Sequence, residues 1–395
     1  MTLPNQGRIK RIVLIVLDGC GCGALPDADR YGDAGADTLA HLIRATPGIQ
    51  LPNLSAWGLG ALHPATGLPR AEHPRASYGR MAERSIGKDT ATGHWELMGV
   101  VTNQPFVTFP EGFPKEMIDA FTEATGRGVL GNCVASGTEI IQALGEEHQR
   151  TGRWIVYTSA DSVFQVAAHE ETIPLEELYR ACETAYGIVT PRGVARVIAR
   201  PFRGEPGAYY RTENRHDYTV PPPSETVMQK VVGAGIEVTG IGKIRDIFAG
   251  RGVSRHIRAT NNADITRRTI EAVRGGITGL IFANLVDFDM LYGHRRNPEG
   301  MGRALEAFDA ALPDLEAVLS PGDLAIVTAD HGNDPTWHGT DHCREYVPLL
   351  VYVPGKEGRR LGTRSTFADV GATIADAFGV PGTGVGTSFL EEVAS

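Results

Sequence analysis

The sequence predicts an α/β fold in which a central sheet is covered by helices on both faces and a smaller α/β unit is inserted into it. Three observations predict this fold. Four segments are apolar on both faces, helical periodicities lie between or after them, and the pattern stops in the middle of the chain.

The segments are IVLIVL (12–17), GLIFANLV (279–286), LAIVTA (324–329) and PLLVYV (348–353), continuous apolar runs rich in β-branched residues. A strand with one wet face alternates apolar and polar residues, so unbroken runs of this length belong to strands packed on two sides. Leu305, Phe308, Leu312 and Leu315 recur at helical spacing, as do Phe367, Val370, Ile374 and Phe378, each set forming one apolar helix face. The insertion begins at the loop-rich VTNQPFVTFPEGFP (101–114) and ends at VPPPSE (220–225), whose three prolines suit neither a helix nor a central strand. Between them EIIQALGEEHQ (139–149) reads as helix, and WIVYT (154–158) and ARVIARPF (195–202) read as strands. The expected division is a core of residues 1–100 and 223–395 with an inserted cap of residues 101–222.

A chain of 395 residues exceeds what one hydrophobic core usually serves, which agrees with two units. With 42% hydrophobic and 22% charged residues and no low-complexity tract, the composition is that of a globular protein. A formal charge of −9 leaves no polybasic footprint for nucleic acid or an anionic membrane, so any phosphate must be met locally. Cys20, Cys22, Cys133, Cys182 and Cys343 show no paired spacing and read as reduced thiols, which suits the cytoplasm. The apolar run at 12–17 is far shorter than the roughly 20 residues of a membrane span and below the core of a signal peptide, so neither insertion nor export is expected. No obligate protein partner is indicated.

Three of the four runs end in aspartate: Asp18, then Asp287 and Asp289, then Asp330. Ligands of open α/β sheets bind outside the carboxyl ends of the strands, so separate strands can deliver these carboxylates to one crevice. Carboxylates that converge in a partly dry site repel one another and lose hydration, and divalent cations relieve both costs. His294 follows Asp289 by five positions, His331 follows Asp330 directly, and His342 lies in GNDPTWHGTDH. Mixed carboxylate and imidazole sets suit Mn²⁺, Zn²⁺ or Fe²⁺ better than Ca²⁺, and six such ligands divide into two triads. Two adjacent ions form an arrangement used for phosphoryl displacement. The nucleophile is sought in GKDTATGHWE (87–96), where Thr90 and Thr92 stand with Lys88, Asp89 and His94. A threonine hydroxyl is a weak nucleophile until a base or metal activates it.

LVDFDMLYGHRR (285–296), TADHGNDPTWHGTDH (328–342) and GKDTATGHWE resemble the signature blocks of the phosphopentomutases, a family of the alkaline phosphatase superfamily, and the likeness runs from Asp18 to the helix near Phe378. The resemblance implies an alkaline-phosphatase-like core with a cap. It places the phosphorylated threonine at Thr90, one Mn²⁺ on Asp18, Asp330 and His331, and a second on Asp289, His294 and His342. It places substrate contacts at Ser159, Asp161, Arg196, Ile198 and Arg211 of the cap, and with them Lys243 in GIGKIRD. The loop DGCGCG, Asn297 and His338 depart from the family's pattern without removing a ligand.

The activity so implied is interconversion of ribose 1-phosphate and ribose 5-phosphate, and of the 2-deoxyribose equivalents, by way of a phosphothreonine and a bisphosphate. A sugar bisphosphate such as glucose 1,6-bisphosphate is the expected activator, and a closing cap would keep water from the phosphoenzyme. The rivals are another two-metal phosphatase, phosphodiesterase or cofactor-independent phosphoglycerate mutase on the same core, and a silent metal- or sugar-phosphate-binding protein. Threonine in the nucleophile block and the cap motifs separate the first rival. The intact nucleophile argues against the second.

Overall fold

The computed structural model describes residues 9–159 and 162–394, which form two compact units: residues up to 104 together with those from 221 on, and residues 105–220. The larger unit is built on an eight-stranded sheet. Its strands are β1 (Arg11–Leu17), β2 (Ser77–Met81), β3 (Val238–Ile241), β4 (Arg255–Ile257), β5 (Gly279–Leu285), β6 (Asp323–Thr328), β7 (Val347–Tyr352) and β8 (Arg360–Arg364). They lie in the order β4-β3-β5-β1-β6-β7-β2-β8.

The first five strands of that order run parallel, whereas β7 is antiparallel to both β6 and β2. β1 is central, pairing Leu17 with Leu285 of β5 on one side and Val16 with Thr328 of β6 on the other. Every residue of β1, β5 and β6 is buried, the burial expected of strands packed on both faces. The covering helices include Pro298–Val318, which buries Leu305, Phe308, Leu312 and Leu315, and Ala368–Phe378, which buries Val370, Ile374 and Phe378. No helix among the described residues is long and apolar enough to cross a membrane.

The inserted unit holds a second sheet of six strands, ordered Val129–Val134, Trp154–Thr158, Val163–His169 and Arg196–Arg203, with Tyr210–Arg211 and His216–Thr219 both paired to the last of these. Its two faces differ. Trp154, Val156, Phe164, Val166, Val197 and Ala199 pack with residues of the helices Lys115–Thr125 and Leu175–Val189 into one apolar core. On the other face Ile155, Tyr157, Ala167 and Phe202 pack with Ile140 and Ile141 of the helix Gly137–Thr151. The rest of that face carries Gln165, Arg196, Arg200 and Asp217, as the registers Tyr157↔Gln165, Gln165↔Ile198 and Ile198↔Asp217 require.

Candidate active site

β5, β1 and β6 are neighbours, so the residues that follow them emerge side by side. Asp18 directly follows β1, and Asp330 lies two residues beyond β6. Gly19 holds them in place: at φ +75° it donates its N–H to Asp330 Oδ1 (3.1 Å), and a side chain there would collide with Asn333. Asn284 at the end of β5 donates to Asp18 Oδ2 (3.0 Å). Past β5 the chain forms one turn of π-helix, Phe288–Gly293, a feature frequent at functional sites. The turn parts the two aspartates that the sequence left together. Asp287 accepts the N–H of Asn262 (2.8 Å), whereas Asp289 meets His294 Nε2 (3.2 Å), His342 Nε2 (3.3 Å) and the amide of Asn333 (2.6 Å).

The histidines close the cluster. His331 Nε2 lies 3.3 Å from both Asp18 Oδ1 and Asp330 Oδ2, and its ring centroid is 4.0 Å from that of His342. His294 fixes its other nitrogen, Nδ1, on the carbonyl of Thr340 (2.6 Å). Burial and the facing charges of Asp330 and Asp289 raise the Asp18 carboxyl above its ordinary range. Burial acts the same way on Asp330 and Asp289, but His331 and His94 around the first, and His342 and His294 around the second, bring both below it. Burial opposes a charged His331, yet Asp330 and Asp18 raise its pKa well above the ordinary imidazole value.

These residues suit divalent cations. Among the described residues, the buried atoms Asp18 Oδ1, Asp330 Oδ2 and His342 Nε2 have no hydrogen-bond partner, a state that a coordinated ion relieves. Ligand atoms of Asp18, Asp330 and His331 lie within 4.8 Å of one another, and so do those of Asp289, His331 and His342. The first set is the triad that the resemblance names. The second holds His331 where the resemblance puts His294, which instead approaches the other oxygen of Asp289. Cys20 and Cys22 are buried outside both sets, and burial above all pushes their thiols well up, so they stand as neutral packing groups.

The helix Thr90–Leu97 brings the segment GKDTATGHWE to the cluster and separates its two threonines. Asp89 caps the helix and accepts both the N–H (3.0 Å) and the hydroxyl (2.6 Å) of Thr92, which is buried. Thr90 Oγ1 faces the histidine instead, 3.1 Å from His331 Nε2. Arg344, two residues past His342, ties this segment down from behind. Its buried guanidinium donates to the carbonyls of Ser85 (2.7 Å) and Gly87 (2.9 Å) and to Glu83 Oε2 (2.7 Å). Lys88 reaches Asp33 (3.1 Å) and Asp341 (3.5 Å). Asn284, Asn333 and Arg344 escaped the sequence reading because none bears a motif of its own; the one signal was that Asn333 lies inside GNDPTWHGTDH.

The expected substrate contacts fall in two places. Arg196, on the strand Arg196–Arg203, pairs with Asp217 (3.3 Å), and Ile198 is buried two positions further on. Arg211 donates to the Tyr157 hydroxyl (3.4 Å), and Ser159 follows the strand Trp154–Thr158. Asp161 lies outside the described residues. Lys243 belongs to the larger unit and not to the cap motifs with which it was grouped; it sits at the end of β3, its Nζ 3.8 Å from Met290 Sδ in the π-turn beside Asp289. Arg200 was not singled out, yet it shares the polar face, bonds Gln165 (3.0 Å), and has its pKa brought down to about 10 by burial and by Arg215.

The family model of the metalloenzyme superfamily matches residues 10–382. The phosphopentomutase of Anaeromyxobacter sp. strain K is 60% identical over 385 residues, which cover 97% of this chain and 99% of that protein. The phosphopentomutase of Carboxydothermus hydrogenoformans is 55% identical over 387 residues, 98% of this chain and 100% of that one. A solved structure of Leishmania mexicana phosphoglycerate mutase aligns at 14% identity with a TM-score of 0.48, covering 98% of each chain. The chain therefore belongs to the phosphopentomutase family of the metalloenzyme superfamily.

Proposed function

We propose that this enzyme interconverts ribose 1-phosphate and ribose 5-phosphate, and their 2-deoxy counterparts, with Thr90 as the residue that carries the phosphoryl group between them. The observation that carries the reading is the Thr90 hydroxyl, 3.1 Å from His331 Nε2, at the edge of two compact carboxylate and imidazole sets. Asp18, Asp330 and His331 would hold one divalent ion and Asp289, His294 and His342 the other, both Mn²⁺ in this reading. Bound there, they supply the positive charge that a transferring phosphoryl group needs.

The residues of the chain do the rest. Phosphorylated Thr90 gives its group to the free hydroxyl of the bound pentose phosphate: the bond from phosphorus to Thr90 Oγ1 breaks, one to the sugar oxygen forms, and the proton of the sugar hydroxyl ends on the freed Thr90 Oγ1. The sugar is then a bisphosphate. Its other phosphate returns to Thr90 by the same exchange in reverse, releasing the isomer. A bisphosphorylated sugar such as glucose 1,6-bisphosphate restores the phosphothreonine when it is lost. Arg196, Arg211, Lys243, Ser159, Asp161 and Ile198 are the proposed contacts to the sugar phosphate, the arginines offering a planar fork to phosphate oxygens. The five cysteines are free thiols, which supports a cytoplasmic setting.

The test follows ribose 1-phosphate in Mn²⁺ buffer with catalytic glucose 1,6-bisphosphate. Ribose 5-phosphate should form, and mass spectrometry should find the phosphate on the peptide of Thr90. Release of inorganic phosphate without isomer would make the enzyme a phosphatase and end this reading.

A further inference from the structure

His94 stands four residues after Thr90 on the same helix. It is fully buried, and a histidine kept from water needs a reason for each of its nitrogens. Nδ1 lies 2.8 Å from the carbonyl of Thr90 and 3.1 Å from Asp330 Oδ2. Nδ1 therefore faces two oxygens at once, one in the first turn of its own helix and one on the Asp330 carboxylate. Among the described residues Nε2 has no hydrogen-bond partner, a cost that an aromatic hydrocarbon in the same place would avoid. The ring stacks on Phe282 of β5 at 5.7 Å, so the sheet fixes its orientation.

A second observation comes from the neighbouring residue. A Cβ on Gly93 would fall 2.0 Å from the Asp330 carbonyl oxygen, a position it cannot occupy. The helix backbone therefore rests directly on the segment that carries Asp330, and the His94 ring reaches the carboxylate of that same residue.

We infer that His94 is a positioning residue, which with Gly93 docks the first turn of the helix Thr90–Leu97 onto Asp330 and so sets where the Thr90 hydroxyl stands relative to the carboxylates. This rests on the reading of Thr90 as the nucleophile. Reacting atoms must approach to about 3–3.5 Å, and a misplacement of about 1 Å costs about 10²-fold in rate. The joint thus acts on transfer and not on substrate binding.

The experiment compares His94→Phe, which keeps a flat ring without a donor, and His94→Asn, whose amide can reach the Thr90 carbonyl as Nδ1 does. Both are made in the full chain and loaded with Mn²⁺. In His94→Phe, kcat and the single-turnover phosphorylation of Thr90 by glucose 1,6-bisphosphate should both fall about 10²-fold. KM for ribose 1-phosphate and metal content should hold, and His94→Asn should regain about tenfold of the loss. The inference is overturned if His94→Phe keeps kcat within about threefold, a change too small for a displaced nucleophile. It is equally overturned if activity falls in step with bound metal, or if His94→Asn is as inactive as His94→Phe and both melt early. Thr90→Ala in the same assay separates the two readings, because turnover without Thr90 would remove the nucleophile and leave metal content untouched.

Discussion

The candidate metal cluster and the polar face of the inserted sheet are built by opposite means. In the cluster, Asp18, Asp289, Asp330, His331 and His342 are all buried, and Asp18, Asp330 and His331 follow strands whose backbone is fixed by neighbours in the sheet. On the inserted sheet, Arg196 and Arg200 are half-buried, Arg211 is exposed, and all three project from strands on long side chains. Buried short side chains on a rigid backbone hold positions to the tolerance that chemistry needs. Long cationic side chains on a half-wet face tolerate more movement and suit the gripping of an anion. Substitutions in the cluster should therefore abolish turnover, whereas those on the inserted face should weaken affinity.

The largest effect is expected from Thr90→Ala. Loss of the proposed nucleophile should lower mutase turnover by about 10⁴-fold or more, while metal content stays as in the parent because the carboxylates and imidazoles of both compact sets are unchanged. Turnover that survives the substitution would break the contrast at its strongest point. Next comes Asp289→Asn, which keeps the shape but not the charge facing His342 and His294. One of two ions should be lost on elemental analysis, with kcat reduced about 10²-fold or more. A variant that retained both ions would show that Asp289 does not hold the second.

On the inserted face the expected change is smaller and of another kind. Arg211→Ala should raise KM for ribose 1-phosphate about tenfold, the worth of one charge-assisted hydrogen bond, with kcat held within about threefold. Phosphorylation of Thr90 by activator should suffer less than substrate binding. Equal loss of both would make Arg211 part of the chemistry and sharpen the contrast in the wrong direction.

The two regions also differed in how far the sequence revealed them. Strand-end position exposed Asp18 and Asp330, because unbroken apolar runs mark buried strands and the first polar residues past them lie at the sheet's carboxyl edge. Periodicity could not separate Asp287 from Asp289, since both follow the same run and a single π-turn decides which one faces the histidines. Nor could it distinguish Thr90 from Thr92, whose surroundings differ because Asp89 caps the helix and holds Thr92 while Thr90 faces His331. β2 and β3, SYGRM and VTGI, were missed because they are short and carry glycine, and Val163–His169 because Gln165 and its alanines mask a fully buried strand. Arg200 was invisible for a deeper reason. An arginine in a strand reads as surface, and only the register that sets it beside Gln165, near Arg211 and Arg215, makes it part of a cationic face.

The smallest effect concerns stability and sharpens the contrast from the side of the larger unit. Glu345 is buried and accepts the N–H groups of Gly23 (3.1 Å) and Thr38 (2.9 Å) and the Thr38 hydroxyl (2.6 Å). Burial pushes its carboxyl from the ordinary 4.5 up to about 8, against the pull of the Thr38 and Gly23 donors and with Asp334 adding to the rise. The folded state therefore holds this proton more tightly than the unfolded chain, so the stability it contributes is complete below pH 4.5 and is lost as pH rises through about 8. Between pH 6 and pH 8 the loss amounts to about 2 kcal/mol, a fall of a few degrees in Tm. Arg200, with its pKa at about 10, stays charged throughout that window, so the polar face of the inserted sheet is silent there. Glu345→Gln removes the proton from the balance while its amide oxygen can still accept from the Gly23 and Thr38 N–H groups and its NH2 can donate to the Thr38 hydroxyl oxygen, and should flatten Tm against pH across the window. An equally steep fall in that variant would assign the pH dependence to other groups and leave Glu345 a carboxylate held by its three donors.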